Sequence, residues 1–162
     1  THLLRNCVDH GIELPDDRAI AGKPLTGSIF IDIKTHDNAI RIIIWDDGSG
    51  IDLNGLYQKG INTCQISQDE TLQHKQIAEL IFHSGMSTKS DVSEISGRGV
   101  GMDAVKQFLL DNNGNITLQV FNGDTPYQPQ SKPSRVPFKM QIDLPSNNFL
   151  VPPETLSLSQ KT

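Results

Sequence analysis

Ile40-Arg41-Ile42-Ile43-Ile44-Trp45-Asp46-Asp47-Gly48-Ser49-Gly50-Ile51-Asp52 is a nearly continuous apolar run that breaks into an acidic, glycine-rich turn. Such a run suits a central strand covered on both faces, and the turn residues end it. Upstream, Ile29, Ile31 and Ile33 alternate with Ser28, Asp32 and Lys34, the period of a half-buried strand. Phe30 interrupts the alternation and points to cover on the second face as well. Thr35-His36-Asp37-Asn38 supplies turn chemistry between the two runs, so together they predict a hairpin.

Further out, Leu3, Leu4, Cys7 and Val8 recur at helical spacing. They predict a helix over Thr1 to His10, with Gly11 as a left-handed stop. Glu13 to Gly27 reads as a polar connection. Ile77, Leu80 and Ile81 mark a second helix, and Met102, Val105 and Leu109 a third that Asn112-Asn113-Gly114 ends. Ile116, Leu118 and Val120 alternate, as do Phe138, Met140, Ile142 and Leu144, giving two more strands. Asn122 to Pro137 reads as the loop between them. Strands with one face to cover and helices with an apolar stripe to bury predict a two-layer α/β sandwich. Periodicity stops at Pro145, so residues 1–145 read as one domain and 146–162 as a tail or linker.

Lys+Arg 14 against Asp+Glu 19, a formal charge of −5, lacks the basic excess of nucleic-acid-binding proteins, so neither DNA nor RNA is expected as partner. Cys7 and Cys64 form no C-x-x-C pair and are too few for a disulfide framework, which fits a reducing, cytoplasmic setting. No apolar stretch approaches the roughly 20 residues that span a bilayer. The chain opens at Thr1 inside a helical pattern, so residues upstream are expected, and membrane association of a parent protein stays open.

Three segments carry chemistry. In the first, His2, Asn6 and His10 lie four apart and so on one face of an α-helix. A solvated polar face accounts for them, as does a ligand site. One zinc shared by His2 and His10 is excluded, because eight helical residues rise about 12 Å and zinc reaches about 2 Å to each ligand. The neutral oxygen of Asn6 suits a hard ion such as Mg²⁺. In the second, Asp46 to Asp52 is either an acidic turn or a base reader. As a reader, the Asp46 carboxylate accepts the exocyclic amino group of adenine and repels the oxo group of guanine, while Gly48 and Gly50 let the backbone come close. In the third, Gly85-Met86-Ser87-Thr88-Lys89 and Gly97-Arg98-Gly99-Val100-Gly101-Met102 lead into a helix N-terminus, where free N–H groups and the dipole favour an anion. A loop followed by a capped helix is the other reading. The spacing fits neither a Rossmann fingerprint nor a Walker A loop.

In this order the three segments resemble the N box and the two glycine boxes of the Bergerat-fold ATPases, the group of histidine kinases, DNA gyrase, MutL and the heat-shock chaperones. The closer resemblance is to the CheA-type chemotaxis kinases, through HLLRNCVDHGIE, DDGSGID and SGRGVGMDAVK. It runs from Thr1 to Leu144 and is weakest through residues 60–72 and 122–137. The resemblance implies a Bergerat fold, a mixed sheet covered by helices on one face. The strand and helix that usually precede the N box are missing here, which would leave a sheet edge or an apolar helix face uncovered.

It also implies binding of Mg-ATP and transfer of the γ-phosphoryl group to a histidine on a separate phosphoacceptor domain, with a response regulator downstream and a homodimer left open. The alternative is a catalytically inactive nucleotide-binding regulatory module of the same fold. By the resemblance, Asn6 holds the magnesium and Asp46 reads adenine, Gly48 and Gly50 shape the base pocket, and His10 belongs to the nucleotide site. Ser87, Thr88, Lys89, Gly97, Arg98, Gly99, Val100, Gly101 and Met102 attend the phosphates, and residues 85–96 form a lid. Lys89 and Arg98 are candidate cations, with a solvated charge as the other reading for each. His2 stands where the ATP-hydrolysing members keep a Glu, which implies transfer over hydrolysis. Met86 stands where these kinases commonly have Phe, which would alter how the lid is anchored.

Overall fold

β2 (Ala39–Asp46) is the inner strand its apolar run predicts. In this computed structural model, which describes residues 2–36, 38–86, 101–130 and 132–146, β2 pairs antiparallel with β1 (Ile29–His36), Ile31 opposite Ile44. On its other side lies β6 (Phe138–Pro145), Met140 opposite Ile44, and β4 (Asn115–Val120) closes the order β1-β2-β6-β4. A mixed sheet is expected, yet every described pairing is antiparallel. The reason is topological. β2 and β4 do run the same way, as a helical crossover between them requires, but β6 lies between them and removes the parallel contact.

One face of this sheet carries Ile44, Met140, Ile142, Ile116 and Leu118, all buried in a core shared with helices. Those helices are α1 (His2–Asn6), which continues as a π turn over Cys7–Gly11, then α2 (Pro15–Ile20), α3 (Leu53–Asn62), α4 (His74–Glu79) with a 3₁₀ turn Leu80–Phe82, and α5 (Met102–Asp111). α5 ends as predicted, in a Schellman motif: Asn113 is left-handed at φ 56, and Gly114 N–H donates to Leu109 C=O at 2.7 Å. None of the described helices is long and apolar enough to cross a membrane.

Five expectations change. The predicted N-terminal helix is split, because Ile12 N–H reaches back five residues to Cys7 C=O at 2.8 Å. The connection 13–27 contains α2, and α3 appears where no helix is expected. Two glycines and two asparagines hide the latter in propensity terms, although Leu53, Leu56, Tyr57 and Gly60 bury one stripe and the Asp52 side chain caps it. The expected loop 122–137 holds β5 (Arg135–Val136), paired with β3 (Ile51–Asp52). Phe30, finally, does not lie under a second layer: it stacks on Trp45 at 5.2 Å, with Lys139 Nζ 4.3 Å from the indole centroid.

Cover is missing on the helix side too. β1 is an edge strand whose Ile31 and Ile33 are 51% and 62% exposed, and Val8 is exposed on the π turn, as expected of an uncovered edge. Met86 is fully buried and accepts from Thr63 Oγ1 at 3.7 Å, so a thioether anchors the chain at the entrance to residues 87–100, which lie outside the described residues together with 147–162.

Ile77 has no solvent exposure, whereas Phe108 is 67% exposed. Ile77→Ala should cost about 2–5 kcal/mol and Phe108→Ala under about 0.5 kcal/mol, read as the difference in urea midpoints.

Candidate active site

The site grows from one backbone approach. Ser49 N–H donates to Gly11 C=O at 2.8 Å, and a Cβ on Gly48 would run into that carbonyl. Only glycine at 48 lets the turn after β2 rest on the π turn. Gly50 is needed for a different reason, since its φ of +77 lies in the left-handed region and a Cβ would strike the Val136 carbonyl. Gly11 itself is not among the left-handed residues. The predicted helix stop is therefore a close-approach position: a Cβ on Gly11 would sit 2.6 Å from Asp46 Oδ2.

Asp46 ends β2 with its carboxylate against this turn, and Oδ1 accepts Gly48 N–H at 2.9 Å. Cys7, buried one turn before Gly11, faces the same carboxylate. Burial pushes its thiol up to about 12, and the neighbouring Asp46 adds to the effect, so Cys7 stays a protonated, unreactive thiol that complements an anion. Asn6 Nδ2 donates to Met102 Sδ at 3.3 Å. That contact spans 96 positions and brings the first and third motifs together. The Asn6 amide oxygen remains an acceptor. Gly101 caps α5 in extended backbone, φ −78 and ψ 175, with no side-chain cap bond among the described residues and with Asp103 as the acidic residue of the first turn; helix N-terminal N–H groups of this kind suit an anion.

The structure thus joins Asn6, Asp46, Gly48, Gly50, Gly101 and Met102 around the π turn. His2 lies on α1, partly buried, and its imidazole titrates below the ordinary 6.5, first because of burial and then because of the Arg5 charge. His10 is exposed, and the π turn takes it out of the α-helical register with Asn6. Ser87, Thr88, Lys89, Gly97, Arg98, Gly99 and Val100 lie outside the described residues. Among the described residues no cluster of three His, Cys, Asp or Glu could hold a metal.

Behind the turn stands an ion cluster that the sequence reading passed over. Arg18 is completely buried, and its guanidinium donates to Pro24 C=O (2.6 Å), Glu13 Oε2 (3.1 Å), Asp47 C=O (3.4 Å), Thr26 C=O (3.4 Å) and Asp47 Oδ2 (2.9 Å). Lys23 Nζ joins Glu13 Oε1 at 2.7 Å. In a segment that also carries Asp16 and Asp17, neither cation stands out from solvated surface charge.

A family model described as histidine kinase-, DNA gyrase B- and HSP90-like ATPase matches residues 1–146. The chain belongs to this ATPase family. Its relatives include the chemotaxis protein CheA of Rhizobium meliloti, 42% identical over 118 residues, covering 73% of this chain and 16% of that protein. The gliding motility regulatory protein of Myxococcus xanthus is 46% identical over 117 residues, 71% of this chain and 15% of the relative. The chemotaxis protein CheA of Bacillus subtilis is 40% identical over 124 residues, 75% and 18%. The chain therefore spans less than a fifth of the length of these relatives. The family's α/β architecture agrees with the sheet and helices described above.

The ion cluster sets an acid limb of stability. At Asp47 the Ser28 N–H bond lowers the carboxyl below its ordinary 3.8 against the effect of burial, helped by Arg18. At Glu13 burial pushes upward, but hydrogen bonds led by that from Lys23 outweigh it and hold the group below 4.5. Carboxylates with lowered native pKa values stabilise the fold above their unfolded values and lose that contribution as the pH falls through the native ones. Urea midpoints of the native chain should thus fall below about pH 5, and Glu13→Gln with Asp47→Asn should flatten that fall. An unchanged slope would show that other groups set it.

Proposed function

We propose that residues 1–145 form the catalytic module of a protein-histidine kinase that binds Mg-ATP, with residues 146–162 as a tail or linker. The observation that carries the reading is the Asp46 carboxylate, held at the end of β2 by Gly48 N–H against the π turn that follows Asn6, whose amide meets Met102 of α5. Asp46 would accept the adenine amino group. Asn6 Oδ1 would hold magnesium, which with so few protein ligands keeps phosphate oxygens and water as its others. The first-turn N–H groups after Gly101 would receive phosphate oxygens, joined by Ser87, Thr88, Lys89 and residues 97–100. Bound Mg-ATP would supply the γ-phosphoryl group and neutralise its charge.

His2 is proposed as the proton-handling residue. Burial, and then the Arg5 charge, lower its pKa from the ordinary 6.5, which favours the neutral imidazole that can take a proton from an attacking group. The acceptor would be a histidine on another domain, with a response regulator downstream and a homodimer as the assembly. The resemblance to CheA and to the gliding motility regulator supports this signalling context.

Calorimetry on the chain should show Mg-ATP bound more tightly than Mg-GTP, and Asp46→Ala should cost about 1.5–3 kcal/mol of ATP binding, the size of a charge-assisted hydrogen bond. Equal affinity for the two nucleotides would remove Asp46 from the base site. In the complete protein, His2→Ala should lower the rate of histidine phosphorylation with ATP affinity within about a few-fold, the pattern of an interaction made mainly in the transition state. The wild-type rate should be flat above pH 7 and fall as imidazolium forms below 6.5. A His2→Ala protein whose ATP affinity fell steeply while its rate at saturating ATP was unchanged would make His2 a ground-state ligand instead.

A further inference from the structure

We infer that Lys23 is a positioning residue for base selection: its ammonium fixes two consecutive peptide planes whose opposite edges hold the Asp46 carboxylate and the Gly11 carbonyl. The inference rests on the proposed reading of Asp46, and its own content is the geometry behind that residue. Lys23 Nζ donates to Asp47 C=O at 3.0 Å and to Gly48 C=O at 2.8 Å. In a trans peptide the C=O of one residue and the N–H of the next point in opposite directions across one rigid plane, and no cis peptide is described. The plane whose carbonyl Lys23 holds at Asp47 therefore aims Gly48 N–H away from Lys23, and that N–H meets Asp46 Oδ1 at 2.9 Å. The next plane, held at Gly48 C=O, aims Ser49 N–H at Gly11 C=O, 2.8 Å away.

Lys23 thus bears on the orientation of the proposed base reader without touching it. Glu13, at 2.7 Å, fixes the ammonium from behind. Arg18 braces the same peptide through Asp47 C=O and secures the Asp47 carboxylate, whose other oxygen accepts Ser28 N–H at 2.9 Å. Without the ammonium, the Asp47 carbonyl keeps only the longer Arg18 bond of 3.4 Å and the Gly48 carbonyl loses its Lys23 partner, so the two planes that meet at Gly48 turn more freely, because Gly48 has no side chain to restrict them. The carboxylate of Asp46 then loses its fixed direction, and with it the geometric difference between an amino and an oxo group.

Lys23 is the residue to test, since its side chain is about a third exposed at 32%, whereas Arg18 is wholly buried and its loss would threaten the fold. Lys23→Met keeps the stem and removes the charge. Lys23→Arg keeps the charge and can still donate to both carbonyls. In the nucleotide-free chain, amide exchange at Gly48 and Ser49 should rise by about ten-fold or more in Lys23→Met, with Ile77 in the core unchanged. The ratio of Mg-ATP to Mg-GTP affinity, by competition calorimetry, should fall by about ten-fold, and Lys23→Arg should restore most of both effects. Unchanged exchange at Gly48 and Ser49, or faster exchange with the ratio kept within about two-fold, would overturn the role of Lys23 while leaving Asp46 in place. A wild-type chain without preference for ATP would instead remove Asp46 as base reader, and the selectivity role of Lys23 with it.

Discussion

A guanidinium cut off from water must find acceptors for five N–H groups or carry a penalty of several kcal/mol. Arg18 finds five, on four residues in three separate places: Glu13 after the π turn, Pro24 and Thr26 in the segment leading to β1, and both the backbone and the carboxylate of Asp47 beyond β2. Meeting that requirement draws the N-terminal segment, the entry to the sheet and the glycine turn to one point. The geometry of the candidate nucleotide site follows from this convergence, because the turn at residues 46–50 has almost no apolar side chains with which to hold itself.

The π turn is the second consequence. An α-helix continued through Cys7 to Gly11 would close one residue earlier, whereas the Ile12-to-Cys7 bond widens the last turn. Its carbonyl at Gly11 can then meet Ser49 N–H while Cys7 faces Asp46. One element thereby touches the acidic turn at its C-terminal end and, through Asn6 and Met102, the start of α5. A widened helical turn at a functional site is a recurrent device.

Electrostatics within the site are divided by burial. The Cys7 thiol, driven up to about 12, adds no second negative charge next to Asp46. His2, driven down by burial and Arg5, takes up a proton less readily than an ordinary imidazole. The stronger ion pairs sit behind the site, where Glu13, Arg18, Lys23 and Asp47 neutralise one another.

Much was legible in the residue order: the β1–β2 hairpin, the alternation of β4 and β6, and the stop of α5 at Asn113-Gly114. These depend on short-range periodicity and on motif residues, which a linear reading can follow. The helix α3 escaped that reading, because its glycines and asparagines conceal a stripe that packing, and a cap from Asp52, make helical. Gly11 looked like a left-handed stop and is an approach position, a distinction set by the Asp46 carboxylate 35 positions later. Lys23 and Arg18 were indistinguishable from solvated charges, since what marks them is the set of carbonyls brought around them by folding. Sequence alone determined which residue types could bind a nucleotide and in what order they stand. Only the tertiary structure decided which charges support them, because hydrogen-bond partners are chosen by distance in space and a chain order carries no record of that.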